Sequence, residues 1–170
     1  KATGGVRWDQ EAEEYLSAAE WKKRRLDTWE KDVPDAPLHF TENGPDVSTL
    51  KAENLVAPLA VINVVEKAAA NPDYLLTPDD VKAWEARNGR LPDGAAVARN
   101  SGWDKHLGTP KYTGLADKTF HFPGFHPETA EFLVKERVVV GLVVDTLSLD
   151  HGPSEEFKAH LAWLPTGRWG

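Results

Sequence analysis

Two stretches of the chain are apolar without alternation, Leu55–Val65 and Val138–Val144. Both are rich in β-branched residues, a pattern expected of neighbouring central strands buried on two faces. Gly94–Arg99 reads as a further short strand. Helices are predicted between them. Thr77-Pro78-Asp79-Asp80 has a Thr cap, Pro at the first helical position and acids in the first turn, and the pattern stops at Asn88-Gly89. Pro127–Glu136 starts the same way, and Ser154–Trp163 forms a short last helix. Near the N-terminus, Trp8, Ala12, Tyr15, Leu16, Ala19 and Leu26 recur at three-to-four spacing. That spacing predicts an amphipathic helix over residues 8–31, ended by Pro34 and Pro37. Residues 35–54 read as irregular, with a turn at Glu42-Asn43-Gly44-Pro45. Residues 100–126 read as a long loop and 145–153 as a turn region. Strands alternating with helices indicate an α/β fold, in which ligands sit at the strand ends, where these two loops lie.

Charge narrows the function classes. Lys and Arg total 20 against 27 Asp and Glu, giving a net charge of −7. An acidic chain is a poor general binder of nucleic acid or anionic membrane. The run Lys22-Lys23-Arg24-Arg25 is flanked by acids and reads as a solvated face. No apolar stretch is long enough to span a bilayer, and the first five residues lack the apolar core of a signal peptide, so a cytoplasmic protein is expected. With no Cys, thiolate metal sites and Cys nucleophiles are excluded. The absence of Met, even at position 1, points to a chain that is processed, trimmed, designed or incomplete.

Histidines carry most of the candidate chemistry. His39 follows Asp35 by four residues. Asp with His suits a metal or an oriented base, provided that the two prolines curl the segment; a loop His bonded to backbone is the plain alternative. His121-Phe122-Pro123-Gly124-Phe125-His126 sets two imidazoles around a Pro-Gly turn with aromatics between. These residues make a pocket with apolar walls and two polar groups, or else His126 merely satisfies the free N–H groups of the following helix. Ser148 and His151 lie in the turn after the second apolar run, but no Gly-x-Ser-x-Gly elbow accompanies them. His160 lies on the last helix, as a metal ligand or a structural residue.

Taken together, these segments resemble the cyclase family of metal-dependent hydrolases, which includes kynurenine formamidases and isatin hydrolases. The motifs are Asp35-Ala-Pro-Leu-His39-Phe40, Leu55-Val-Ala-Pro58, Leu76-Thr-Pro-Asp-Asp80, Ser101-Gly-Trp103, His121-Phe-Pro-Gly124, Val144-Asp-Thr-Leu-Ser-Leu-Asp-His-Gly-Pro-Ser154 and His160-Leu-Ala-Trp-Leu-Pro-Thr-Gly-Arg-Trp-Gly170. The resemblance spans 35–170 and leaves 1–34 as a separate acidic helix and linker. It implies a swivelling β/β/α domain with a mixed sheet, in a homo-oligomer, hydrolysing a cyclic amide or aryl formamide with Zn²⁺ or Mn²⁺. It implies metal ligands at Asp35 and His160, a catalytic His39, and substrate contacts at Trp103, His121, Phe122, Phe125 and His126.

The family's metal motif, His-x-Gly-Thr-His-x-Asp-x-Pro-x-His, is incomplete here. Trp29, Lys31, Asp32 and Val33 stand where it has His, Gly, Thr and His. The family's further Glu ligand falls beyond Gly170. An inactive relative that binds a small aromatic ligand, or an interaction module, is therefore the alternative expectation.

Overall fold

A computed structural model describes residues 6–9, 14–17, 40, 55–114 and 119–170. The chain divides into two units, Lys1–Pro34 and Asp35–Gly170. In the first, β1 (Val6–Asp9) and β2 (Glu14–Ser17) pair antiparallel, with Trp8 opposite Tyr15. At residues 8–9 and 14–17 this corrects the helix expected over 8–31; the rest of that range lies outside the described residues. Val6, Trp8 and Tyr15 are strong strand formers, and a short window fits a period of two as well as one of 3.6. The Lys22–Arg25 run lies outside the described residues, as does the turn at 42–45.

The second unit is built on a parallel sheet in the order β3 (Leu59–Asn63), β5 (Ala95–Asn100), β7 (Val139–Val144). The two apolar runs are therefore not neighbours, because the weaker strand lies between them. Ala60, Val97 and Leu142 stand abreast in register and are buried. On the opposite face, Leu59 and Val61 of β3 are 62% and 44% exposed. β3 is thus buried on one face only, which corrects the expectation of burial on both. Its true pattern alternates, but Leu and Val on the outward positions hide that alternation in the sequence. Beside β7, Trp169 forms a parallel bridge to Gly141.

Helices complete the layer: α1 (Val65–Ala70), α2 (Pro78–Asn88), the single turn α3 (Pro110–Thr113), α4 (Pro127–Glu136) and α5 (Lys158–Trp163). Two-residue strands β4 (Leu75–Leu76) and β6 (Gly124–Phe125) pair in parallel just before α2 and α4. The cap expected at Thr77 is present as a reciprocal box, with Asp80 bonding back to the Thr77 N–H at 2.8 Å. Glu85 and Arg137 join the ends of α2 and α4 through two hydrogen bonds of 2.8 Å each. The core gathers Ile62, Leu76, Val81, Phe125, Leu133, Leu149, Trp163 and Leu164 between sheet and helices. Among the described residues, no helix is long and apolar enough to cross a membrane.

Candidate functional site

The turn after β7 organises this region. Asp145, at its start, accepts hydrogen bonds from Ser101 N–H at 2.9 Å, Ser101 Oγ at 2.6 Å and Trp103 N–H at 3.0 Å. It thereby ties the ends of β5 and β7 together. Arg99 sits between Ile62 and Val144 in register, so it occupies a core-facing position at 2% exposure. Its Nη2 donates to Thr146 Oγ1 at 2.5 Å and lies 3.7 Å from Asp145, while the guanidinium stacks on Phe125. Arg99 Nε and Nη1 are buried without a hydrogen-bond partner. Burial pushes the guanidinium down to about 10, so it stays protonated at neutral pH.

Asp150 closes the turn. Its carboxylate accepts hydrogen bonds from Ala159 N–H at 3.0 Å, His160 N–H at 3.1 Å, Ser154 Oγ at 3.2 Å and His160 Nδ1 at 2.5 Å. Burial pushes this carboxyl up, but the hydrogen bonds from the His160 ring and the two backbone N–H groups prevail and hold it below the usual range. A carboxylate oxygen only accepts, so Nδ1 of His160 carries the proton. With Nδ1 turned to Asp150, Nε2 is the ring atom left to face a metal, the arrangement found in metal-binding histidines backed by a carboxylate.

Around His160 the walls are aromatic. Phe40, the residue after His39, stacks on its ring with centroids 5.0 Å apart, and Phe157 meets it edge-on at 5.7 Å. Phe157 holds φ 49°, the left-handed region, as a non-glycine residue. Such strain costs about 1–2 kcal/mol and clusters at functional sites. Phe157 and Asp150 both line a cleft of about 200 Å³, together with Phe120, Phe122, Leu147, Ser148 and His151. Gly124 lets β6 lie directly on this turn: a Cβ there would stand 2.1 Å from His151 N. The cleft combines apolar walls with a few polar groups, the composition of small-molecule sites.

Of the five substrate contacts expected, only Phe122 lines this cleft. Phe125 is fully buried in the core beneath Arg99. Trp103 is buried, donates from its indole to Tyr112 O at 2.8 Å and meets His106 edge-on. His126 Nδ1 accepts from Glu128 N–H at 3.2 Å, which is the capping alternative. His121 pairs with Asp73 at 2.8 Å. The Pro-Gly turn points these side chains in different directions, so closeness in sequence does not become a shared pocket. Asp35 and His39 lie outside the described residues. Among the described residues, no group of three or more His, Asp or Glu is arranged to hold a metal ion. His160 alone, backed by Asp150, fits one ligand position.

Asp150, Phe157, Phe120 and Leu147 were not singled out from the sequence. The signals were faint: an Asp ten residues before a helix His, and apolar residues in polar turns.

Comparison with known proteins agrees with this architecture. The chain is 40% identical over 111 residues to an isatin hydrolase of Roseibium aggregatum, covering 62% of this chain and 42% of that protein. The structure of isatin hydrolase A from Labrenzia aggregata, bound to benzyl benzoate, superposes with a TM-score of 0.73 at 33% identity, over 80% of this chain and 56% of that one. An isatin hydrolase bound to the product analogue thioisatinate gives 0.71 at 33% identity, over 80% and 55%. The chain thus spans about half the length of these relatives. Residues 34–151 match the family model described as "Putative cyclase", and with the shared fold this shows that the chain belongs to the cyclase family of hydrolases.

Proposed function

We propose that residues 35–170 form the cyclase-like part of a metal-dependent hydrolase that opens a cyclic amide, such as isatin, or cleaves an aryl formamide. The observation that carries this reading is the aromatic cleft lined in part by Asp150, the carboxylate that fixes the buried His160. Phe120, Phe122 and Phe157 suit a flat ring, since aromatic pairs stack offset or edge to face. Asp35 and His160 would hold a divalent ion, Zn²⁺ or Mn²⁺. The chemistry such an ion supplies when bound is Lewis acidity toward water and a carbonyl. His39 takes and returns the proton of the attacking water, Asp150 keeps His160 in one tautomer, and the apolar walls orient the ring and exclude bulk water. The working form is a cytoplasmic homo-oligomer, with residues 1–34 as a separate appendage.

Trp29 and Val33, standing where the family motif has His, favour a second reading: an inactive relative that keeps the ligand cleft. Turnover of isatin and metal content, measured on one sample, decide between them. Hydrolysis should vanish on chelation and return with Zn²⁺ or Mn²⁺, with metal affinity below that of a relative carrying the full motif. His39→Ala should lower turnover about 10²-fold. Asp35→Asn should weaken the metal more than the substrate. A bound aromatic ligand without metal or turnover would establish the inactive reading.

A further inference from the structure

Among the ties on the arm that carries two of the cleft's aromatic walls is a polar pair, Asp73 and His121. Asp73 lies in a turn closed by Tyr74 N–H to Asn71 O at 3.0 Å and by its own N–H to Asn71 Oδ1 at 3.1 Å. From there its Oδ2 accepts from His121 Nδ1 at 2.8 Å, across 48 residues of sequence. Asp73 Oδ1 is buried with no hydrogen-bond partner. A carboxylate left half-satisfied raises the free energy of the folded state, so its placement calls for a reason.

The reason lies in what flanks His121. Phe120 and Phe122 both line the cleft, whereas His121 is not among its lining residues. Backbone bonds tie the arm at two places: His121 N–H to Thr113 O at 3.1 Å, and Gly152 N–H to Phe122 O at 2.9 Å. The contact with Gly152 is close, since a Cβ there would stand 2.4 Å from Phe120 O. Backbone ties fix where the arm runs. A side-chain tie at its middle residue fixes its rotation about its own axis, and so the direction in which the two flanking rings point.

We propose that Asp73 and His121 are a positioning pair that sets the Phe120 and Phe122 rings and so selects flat aromatic ligands in the cleft. This rests on the cleft being the ligand site. Neither side chain touches the ligand, so their loss should be felt in binding and not in the chemical step.

The test uses the full chain with thioisatinate as the binding probe and isatin as substrate. Asp73→Ala and His121→Ala should each weaken thioisatinate about tenfold and raise KM by a similar factor, as loss of one charge-assisted hydrogen bond would, with kcat changed less than about twofold. His121→Gln, whose amide can still donate to Asp73, should keep binding within about threefold of the parent chain. Phe122→Ala separates the two claims. If Phe122→Ala weakens thioisatinate while Asp73→Ala and His121→Ala leave it unchanged, the cleft reading stands and the positioning role is overturned. If Phe122→Ala has no effect, the cleft reading fails and the proposal with it. A fall in kcat at unchanged KM would overturn the proposal by placing His121 at the reacting atoms. Asp73→Asn, nearly isosteric, guards against a variant that fails to fold. In it, hydrogen exchange at the His121 and Gly152 amides should speed up while α2 amides keep their protection; unchanged exchange at both would also overturn the proposal.

Discussion

The corner where α1, β4 and α2 meet and the turn between β7 and α5 both contain buried charge, but they handle it in opposite ways. At the corner, Asp80 accepts from Lys67 Nζ, from Tyr74 OH at 2.7 Å, and from Thr77 through its N–H at 2.8 Å and its hydroxyl at 3.0 Å. Burial pushes its carboxyl up, but these bonds outweigh burial and hold it below the usual range. Every polar group at the centre of that network is satisfied. Against the turn, Arg99 of β5 keeps two buried nitrogens, Nε and Nη1, without partners, and Phe157 holds a left-handed backbone. A fold tolerates such costs where a site requires them, because the surrounding structure holds the strained groups in place. The Asp80 network is scaffold, and the turn between β7 and α5 carries the site.

The largest effect expected from disturbing this contrast is at Asp150. Asp150→Ala should cost about 3 kcal/mol or more, because it strips the acceptor from a buried imidazole and from two N–H groups at the start of α5. Chemical denaturation measures this. The folded carboxyl lies below its unfolded value, so its contribution is present at neutral pH and is lost as pH falls below about 4, through the folded value. Asp150→Asn should therefore show a shallower loss of stability on acidification than the parent chain. An identical acid profile would remove Asp150 from the account.

Next in size, Asp80→Asn should cost about 1–2 kcal/mol and leave ligand binding unchanged, since it disturbs only the scaffold corner. Arg99→Met should behave in the reverse way. Replacing a half-satisfied buried cation by an apolar side chain should shift stability by less than about 1 kcal/mol. It should nevertheless weaken ligand binding, because Thr146 loses the bond that anchors the turn bearing Leu147 and Ser148. Equal stability losses in the two variants would dissolve the distinction between the regions.

The smallest effect is the most diagnostic. Phe157→Gly removes a left-handed penalty of about 1 kcal/mol together with the side chain of a residue that is 45% exposed. Stability should stay within about 1 kcal/mol of the parent, while binding of a flat aromatic ligand falls. Unchanged binding would mean that the strain at Phe157 serves something other than the cleft.

What could be read from sequence follows from the range of the interactions involved. Thr77 and His126 cap α2 and α4 through bonds spanning two or three residues, so the Thr-Pro-Asp-Asp motif was enough to start α2, and capping stood among the readings of His126. The family motifs likewise gave the α/β fold, because they record packing already solved in relatives. The strand order β3-β5-β7 was not legible. Apolar content ranks strands by burial but does not say which edges pair, and the middle strand of the sheet, Ala95–Asn100, ends in an Arg and an Asn. The same limit applies to the site. Six positions from His121 to His126 look like one pocket on paper, yet alternate backbone directions send them to an ion pair, the cleft, the core and a helix cap.

By itself the sequence determined the capped starts of α2 and α4, the apolar runs that became strands β3 and β7, and the family. Caps, turn formers and hydrophobic periods act within a few residues and need no partner elsewhere. Only the tertiary structure decided that Arg99 is a buried cation, that Asp73 meets His121 across 48 residues, and that Asp150 fixes the ring of His160. Each depends on which distant segment arrives beside it. Burial and hydrogen-bond satisfaction belong to the packed chain as a whole, and the same residue type is a solvated charge or a site residue according to what packs against it.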